Sequence, residues 1–178
     1  MGMLSILIIE EFEQYFNKMI FITEYISKEY YLLEEKTGEY INGLVHLSEK
    51  YHLPFASDIA IINAQIYTYS PEKQNNSKYE RKLKKQYLLN CLSTAKSYVD
   101  NYFSKTQQLL EESSILLRKM AAVAVSKNLL QQQYDIDTII YNMNKDTELM
   151  PALTNAIGTV GYLNMKILLE RAITEVFI

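Results

Sequence analysis

The chain has 178 residues and a mass of 20.8 kDa, which is long enough to bury a sizeable core without disulfides or a metal. Its 48% hydrophobic and 22% charged residues are ordinary for a globular protein, and they exclude a chain that is disordered throughout. With only 5 glycines and 3 prolines, collagen-like and most turn-rich all-β architectures are excluded as well. We expect one domain over residues 1–178, with a loop at 70–77.

Charge is distributed unevenly along the chain. Residues 1–77 carry five lysines against eleven acidic residues, whereas residues 78–178 carry 13 basic against 10 acidic residues. The simpler interpretation is that an acidic segment packs beside a basic one within the fold, and the alternative is a basic patch for an anionic partner.

Apolar side chains recur every 3.5 residues through the first part of the chain. In alternating steps of four and three from Phe12 to Tyr51, every position except Thr23 and Thr37 is apolar or aromatic. This spacing predicts a long helix over about 8–52. Gly38 and Gly43 interrupt it, each at a cost of about 1 kcal/mol relative to alanine. The sequence leaves open whether the helix continues through them.

The segment at residues 55–69 is apolar and contains one charged residue, Asp58. Ser57 or Asp58 can cap the start of a helix there, and a strand is the alternative because β-branched residues are frequent. A helix that is apolar on most sides has to be buried, either in its own core or in a partner.

A second long helix is predicted over about 78–132, again with a 3.5-residue repeat. Its apolar seam includes Leu88, Leu92, Ala95, Val99, Tyr102, Leu109, Leu116, Met120, Val123 and Leu130. A continuous helix of this length would span about 80 Å, so we expect either an elongated molecule or a break.

The tail predicts a short helix over 136–145 and a final helix over 147–176, in which Gly158 and Gly161 indicate a close helix crossing or a bend. Together these segments predict an all-α fold: an elongated antiparallel bundle of about four helices, two of them long and heptad-patterned.

Two groups of residues are candidates for binding. The predicted protein-interaction surface comprises Ile59, Ile62, Ile66 and Tyr69 in the uncharged segment, with Ala121 and Ala124 in a run of small residues. The predicted anion-binding patch comprises Lys78, Arg81, Lys82, Lys84 and Lys85, between which Tyr79 and Tyr87 could stack on bases. Basic residues at a helix start oppose the helix dipole, which favours pairing with acidic protein groups over nucleic acid.

Catalytic and metal-binding patterns are scarce. Glu49 and His52 have the Glu-x-x-His spacing of di-iron helices, but the only other histidine is His46, so a second such motif cannot exist. Cys91 is the single cysteine and is expected to be a small buried hydrophobe. We expect no catalytic residues, no metal and no cofactor.

The sequence therefore favours a non-enzymatic assembly or adaptor protein that binds a protein partner and associates with itself. One alternative is a nucleic-acid-binding helical protein that uses residues 78–87. Another is a regulatory bundle with a ligand pocket near Gly158 and Gly161. No export signal or membrane-spanning segment is recognisable, so a cytoplasmic location is the default expectation.

Overall fold

The structure is a computed structural model that describes residues 5–19, 21–22, 32–70, 77–130 and 135–176. Over these residues the chain forms seven helices and no strand, which confirms the predicted all-α class. The helices are α1 (Ile6–Asn17), α2 (Leu33–Lys50), α3 (Ala56–Thr68), α4 (Ser77–Ser126), α5 (Ile136–Lys145), α6 (Leu149–Val160) and α7 (Tyr162–Val176). Most of the predicted loop at 70–77 lies outside the described residues.

The chain divides into two compact units. The N-terminal unit is Ile8–Phe103, and the C-terminal unit combines Met1–Leu7 with Ser104–Ile178. Both α1 and α4 contribute residues to each unit. That residues 1–178 fold as one domain stays a prediction.

The predicted first long helix is wrong, because α1 and α2 are separate helices that pack against each other. Lys50 Nζ lies 2.8 Å from Glu11 Oε1, and the two residues are 39 positions apart. In a single helix they would be almost 60 Å apart at about 1.5 Å per residue, so the chain reverses between them. The heptad spacing identifies an apolar face. Such a face is equally compatible with one long helix and with two shorter helices that pack against each other. Residues 23–31, which supply Ile26 and Tyr30 to the pattern, lie outside the described residues.

Helix α2 is continuous through both of its glycines, and each glycine accommodates a tyrosine ring. A Cβ atom on Gly43 would overlap the Tyr15 hydroxyl of α1, and one on Gly38 would overlap the Tyr67 hydroxyl of α3. The Tyr15 hydroxyl also donates a hydrogen bond to the Tyr40 carbonyl oxygen at 2.8 Å. The glycines therefore allow two neighbouring helices to place tyrosines directly against the α2 backbone.

The core of the N-terminal unit is built around three phenylalanines. Phe12 of α1 lies 5.2 Å from Phe103 of α4 and 6.2 Å from Phe55, measured between ring centroids, and both pairs meet edge to face. All three side chains are buried. Edge-to-face contacts of this kind add about 0.5–1.5 kcal/mol per pair to the burial of the rings.

Helix α4 is unbroken over 50 residues, so the predicted second long helix is present, although it ends at Ser126. Its buried stripe departs from the predicted seam after Val99, where Phe103 is buried in place of Tyr102. Beyond that point Met120 is buried as predicted and Ser113 is buried with it, whereas Leu110, Leu117, Ala121 and Ala124 are buried in place of the predicted Leu109, Leu116 and Val123. A helix with 3.6 residues per turn drifts about 20° per heptad, and this one-residue step corrects the drift.

Two helices end in left-handed residues other than glycine. His52 has φ 52°, and the Leu53 N–H donates to the Ser48 carbonyl at 2.9 Å to close α2. Asn128 has φ 56°, and the Leu129 N–H closes α4 on Ala124 in the same way, also at 2.9 Å. This is the Schellman arrangement, in which a left-handed residue satisfies the last carbonyls of a helix.

In the C-terminal unit, Gly161 separates α6 from α7. Its φ of 81° and ψ of 158° suit only glycine, and they turn the predicted single final helix into two. Gly158 lies within α6, and a Cβ atom built there would meet nothing within 4 Å. The predicted bend is therefore confirmed at Gly161, and the predicted close crossing is wrong at Gly158.

The contact of the Tyr15 ring with Gly43 predicts that one substitution changes the stability in opposite directions with and without that ring. Gly43→Ala should destabilise the wild-type chain by about 1–3 kcal/mol, because the new methyl group displaces the Tyr15 ring. In a Tyr15→Leu background the same change should be neutral or stabilise by up to about 1 kcal/mol, since only helix propensity remains. Urea unfolding followed by circular dichroism measures both values. An equal loss of stability in the two backgrounds would show that the Tyr15 ring does not limit the space at Gly43.

The two C-terminal glycines predict opposite effects of one substitution. Gly158→Ala should stabilise the protein by about 0.5–1 kcal/mol, because the site is open and helical. Gly161→Ala should destabilise it by about 1–3 kcal/mol, since alanine is strained at this φ and ψ. Thermal unfolding of the matched pair tests the assignment, which fails if both substitutions shift the midpoint in the same direction.

Candidate protein-interaction surface

The structure places most of the predicted interaction residues inside the protein. Ile59, Ile62 and Ile66 are buried on the inner side of α3, and Tyr69 is half-buried. Ala121 and Ala124 of α4 are fully buried in the C-terminal unit. The prediction of an exposed surface at the five buried residues is therefore wrong, because the most apolar stripe of a helix packs into the core.

Residues 56–68 form a helix, which decides between the two alternatives left open by the sequence. Helix α3 begins at Ala56, and its N-cap residue, Phe55, makes no side-chain capping hydrogen bond. The predicted cap at Ser57 or Asp58 is therefore wrong. Phe55 is held instead by aromatic packing, with its ring centroid 5.2 Å from that of Tyr102.

The opposite side of α3 is exposed, and Asp58, which is half-buried in the first turn, is the one charged residue of this helix. We define the α3 outer face as Ser57, Ile61, Ala64, Gln65, Tyr67 and Thr68, all of which are exposed. Ile61 is 57% and Tyr67 is 58% exposed. No charged residue occurs from Ile59 to Pro71. Charge is depleted and tyrosine is enriched at the centres of protein interfaces, which makes this face the best candidate for binding a protein.

Two polar groups of the α3 outer face have contacts within the chain. The Thr68 hydroxyl donates to backbone carbonyls of its own helix, including that of Gln65 at 3.2 Å. The Tyr67 hydroxyl lies against Gly38 of α2. Covering this face would therefore leave the Thr68 hydroxyl satisfied, whereas the side chains of Ser57 and Gln65 would need partners within the interface.

The end of α3 meets α4 through a pair of stacked tyrosines. The rings of Tyr69 and Tyr87 are 3.8 Å apart at the centroids and inclined by only 10°. The Tyr87 hydroxyl donates to the Gln65 carbonyl oxygen at 3.3 Å. Burial raises the pKa of the Tyr87 hydroxyl, and the neighbouring Cys91 raises it further. Burial also raises the pKa of the Cys91 thiol, which keeps it protonated and unreactive at neutral pH.

The predicted anion-binding patch occupies the first turns of α4. Lys84 forms an ion pair with Glu34 of α2, the kind of intramolecular pairing that the sequence favours. Lys85 is half-buried, and the other three side chains, Lys78, Arg81 and Lys82, are exposed. The charge of Lys84 is thus balanced by a carboxylate of the same unit.

The Glu-x-x-His spacing at the end of α2 has a structural explanation. His52 is the left-handed residue just after the end of α2, so it lies beyond the helix and not on one helix face with Glu49. His46 Nδ1 lies 3.6 Å from Glu49 Oε2, and both side chains are well exposed. Among the described residues no group of three or more metal-ligating side chains comes together.

Two open grooves in the C-terminal unit, of about 480 and 360 Å³, both include Glu170 and Thr174 of α7. The smaller groove is also lined by Ile136 and Ile139 of α5. Neither groove is lined by Gly158 or Gly161, where the sequence placed a ligand pocket.

The chain matches no known family model, no curated protein and no solved structure. Among the helices that the structure describes, none combines the length and the apolar run needed to cross a bilayer. The candidate surface therefore has to be argued from its own chemistry.

Proposed function

We propose that this protein is a non-enzymatic assembly protein, in which two copies associate through the α3 outer face. The observation that carries the proposal is the exposure of Ile61 and Tyr67 on a helix whose one charged residue, Asp58, is half-buried in its first turn. Exposed helix faces elsewhere in the same unit are charged, such as the side of α2 with Glu35, Glu39 and Glu49. A large apolar side chain in such a neutral surface is stabilised when a partner covers it.

A second copy is the partner that this chemistry favours. In a two-fold symmetric interface each surface meets itself, so a surface charge near the axis faces a like charge. The exposed residues of the α3 outer face carry no charge and Asp58 is half-buried at the start of the helix, so little charge opposes a second copy. The basic turns of α4, in contrast, would repel a second copy and suit only an acidic partner.

The strength of the association can be bounded. Full burial of an exposed large apolar side chain contributes about 1.5–3 kcal/mol, so the half-exposed Ile61 and Tyr67 each contribute about 1 kcal/mol. A two-fold interface counts each of them twice, giving about 4 kcal/mol, which only matches the smallest estimates of the entropy lost on association. The rest of the face has to supply the surplus. We expect a weak dimer that forms at about millimolar concentration, which corresponds to a surplus of about 4 kcal/mol.

The proposal extends the predicted architecture from the chain to the assembly. Within the N-terminal unit, two contacts for each helix pair support opposite directions for consecutive helices. Glu11 meets Lys50 while Tyr15 meets Gly43 between α1 and α2, and Asn42 meets Asn63 while Gly38 meets Tyr67 between α2 and α3. Two such units joined through α3 would form a larger antiparallel bundle. The heptad-like step of Ser57, Ile61, Ala64 and Thr68 is the spacing that helices in bundles use to pack.

Replacing Ile61 with aspartate should abolish the dimer without unfolding the chain. The substitution puts two carboxylates near the two-fold axis and removes two apolar contacts, so the dissociation constant should rise at least about 100-fold. Sedimentation equilibrium over a wide concentration range measures the mass against that of the 20.8 kDa monomer.

Two control variants make this experiment specific. Ile115→Asp changes another exposed isoleucine, in α4 of the C-terminal unit, and should leave dimerisation through α3 intact. Ile62→Asp changes the buried neighbour of Ile61 and should unfold the chain in circular dichroism. A wild-type protein that stays monomeric at all concentrations, or an Ile61→Asp variant that dimerises normally, would refute the proposal.

Nucleic-acid binding is a second candidate function, and the stacked pair of Tyr69 and Tyr87 favours it. This aromatic pair belongs to the same region as Lys82 and Lys85, and single-stranded nucleic acids are bound by such combinations of rings and cations.

The basic turns of α4 yield a separate test of that candidate. If they bind phosphates, the Lys82→Glu and Lys85→Glu double variant should lose binding to a fluorescent single-stranded oligonucleotide. Log affinity should fall with log salt with a slope of about −0.7 per phosphate contacted. Lys119→Glu, at another exposed position of α4, is the matched control and should change little. Equal binding by all three proteins would exclude this site.

A further inference from the structure

Helices α3 and α4 run in opposite directions, which places the basic first turns of α4 beside the end of α3. The ring of Phe55, just before α3, lies 5.2 Å from that of Tyr102, near the middle of α4. The ring of Tyr69, just after α3, stacks on that of Tyr87, near the start of α4. The two ends of α3 are therefore next to different parts of α4.

The end of the N-terminal unit where α3 finishes is basic. Residues 77–85 of α4 contain five basic residues and one acidic residue. The pairing of Lys84 with Glu34 brings the start of α2 to the same end, and residues 33–39 add three acidic residues and one basic residue. The ion pairs of this end use Lys36 and Lys84, whereas Lys82 is exposed and Lys85 is half-buried.

The opposite end of the unit, where α3 begins, is acidic. Glu11 of α1 pairs with Lys50 at the end of α2, so the first turns of α1 lie at this end. Those turns carry Glu10, Glu11 and Glu13 and no basic residue, and Lys50 neutralises one of the three. Asp58 adds a carboxylate in the first turn of α3. The unit therefore has an acidic and a basic end along the direction of α3.

The exposed residues along the centre of the α3 outer face favour an antiparallel copy. They are Ser57, Ile61, Ala64 and Thr68. With a two-fold axis between Ile61 and Ala64, each Ile61 meets the Ala64 of the other copy, so a large side chain lies over a small one. Each Ser57 then meets a Thr68 hydroxyl, which can accept its proton because Thr68 donates within its own helix. A parallel pair would instead oppose Ile61 to Ile61 and leave a gap between the alanines.

The charges of the two ends favour the same direction. In an antiparallel pair, the acidic end of each unit lies beside the basic end of the other, whereas a parallel pair places like charges together. The two basic ends of an antiparallel pair are separated by about 20 Å, the length of the 13-residue helix α3, which exceeds the Debye length of about 10 Å at moderate ionic strength. Their mutual repulsion is therefore largely screened.

We infer that the second copy binds antiparallel across the α3 outer face, with Asp58 of each copy directed to the basic turns of α4 of the other. The inference rests on the proposed function, because it concerns the same face. The basic turns repel the same turns of a second copy, but the acidic end of that copy is the acidic partner that they suit. An unrelated acidic partner would attract Lys82 and Lys85 but repel Asp58, whereas a second copy supplies both charges.

Disulfide trapping measures the direction of the two helices. Ser57→Cys and Thr68→Cys are made separately in a Cys91→Ala background, so that each chain has a single thiol. The two variants, one of them isotope-labelled, are mixed in a glutathione buffer, and intact mass identifies each covalent dimer. The disulfide that joins the two different positions should be the main product. Equal positions should not react, because they lie about 16 Å apart along the helix and a disulfide needs Cα atoms within about 7 Å.

The outcomes of this experiment distinguish the inference from the proposed function. Ile115→Cys, at an exposed position of α4 in the C-terminal unit, reports disulfides that form by random collision. Disulfides that join equal positions would overturn the inference and leave the α3 outer face as the interface. If no combination of Ser57→Cys and Thr68→Cys forms more disulfide than Ile115→Cys does, the proposed function fails and the inference fails with it.

Charge reversal tests the role of Asp58 in a cysteine-independent way. Asp58→Lys should raise the dissociation constant of the dimer about tenfold at low salt, because two attractive contacts become repulsive. Adding Lys82→Glu and Lys85→Glu should restore most of the affinity, whereas adding Lys119→Glu, at an exposed position of the C-terminal unit, should not. Sedimentation equilibrium measures the dissociation constants. A triple variant that dimerises as weakly as Asp58→Lys would overturn the charge pairing.

A second substitution keeps this test decisive if lysine in the first turn of α3 prevents folding, which circular dichroism detects. Asp58→Asn removes the charge without reversing it and should raise the dissociation constant about threefold at low salt. The difference from the wild-type protein should disappear at high salt, because screening removes the attraction that Asp58 supplies. An Asp58→Asn variant that dimerises as the wild type does at low salt would overturn the inferred role of Asp58.

Discussion

The close contact of two tyrosines with the backbone of α2 is the constraint on which the N-terminal unit depends. Tyr15 from α1 and Tyr67 from α3 each lie where a Cβ atom of Gly43 or Gly38 would otherwise be. Glycine at these two positions weakens α2 as an isolated helix by about 1 kcal/mol each. In return, the contact at Gly38 fixes how α3 is rotated about its own axis. That rotation turns Ile59, Ile62 and Ile66 toward the core and leaves Ile61 toward solvent. The candidate surface is therefore a consequence of a packing contact on the neighbouring helix.

The sequence allowed the helical class and several helix bounds to be predicted, because 3.6-residue periodicity and capping residues act locally. Helix α5 begins and ends where its pattern predicts, with Asp135 as the N-cap that accepts from the Thr138 N–H at 2.9 Å. The separation of α1 from α2 could not be predicted, because a heptad pattern shows which face of a helix is apolar but does not show where the chain reverses direction. Gly38 and Gly43 are unfavourable in an isolated helix, which the sequence alone shows. The tyrosines that contact them lie on other helices, so no local pattern predicts those contacts.

The candidate surface is a second case in which a local sequence pattern does not determine the packing. The absence of charge over residues 59–71 marks α3 as unusual, but it does not indicate which stripe of the helix is exposed. The more apolar stripe belongs to the core, and the exposed stripe, with Ile61 beside Ala64 and Thr68, is less apolar and easier to overlook. The chain also contains 15 tyrosines, and this number alone does not separate interface roles from packing roles. Tyr15 and Tyr67 contact glycines of α2 and Tyr69 stacks on Tyr87, so these tyrosines have packing contacts within the chain even where, as in Tyr67, part of the ring is exposed.

Association through a neutral surface and association through a charged surface respond differently to salt and to concentration. A charged patch attracts its partner over about 10 Å at moderate ionic strength, and the attraction weakens as salt is added. The α3 outer face has no such attraction, so association through it depends on concentration and on the burial of apolar area, and salts that strengthen the hydrophobic effect should favour it. The basic turns of α4 belong to the opposite class, with Lys84 already paired to Glu34 within the unit. Salt therefore separates the two kinds of surface. Assembly that persists or strengthens at high ionic strength belongs to the α3 outer face, whereas binding that fades belongs to the lysines.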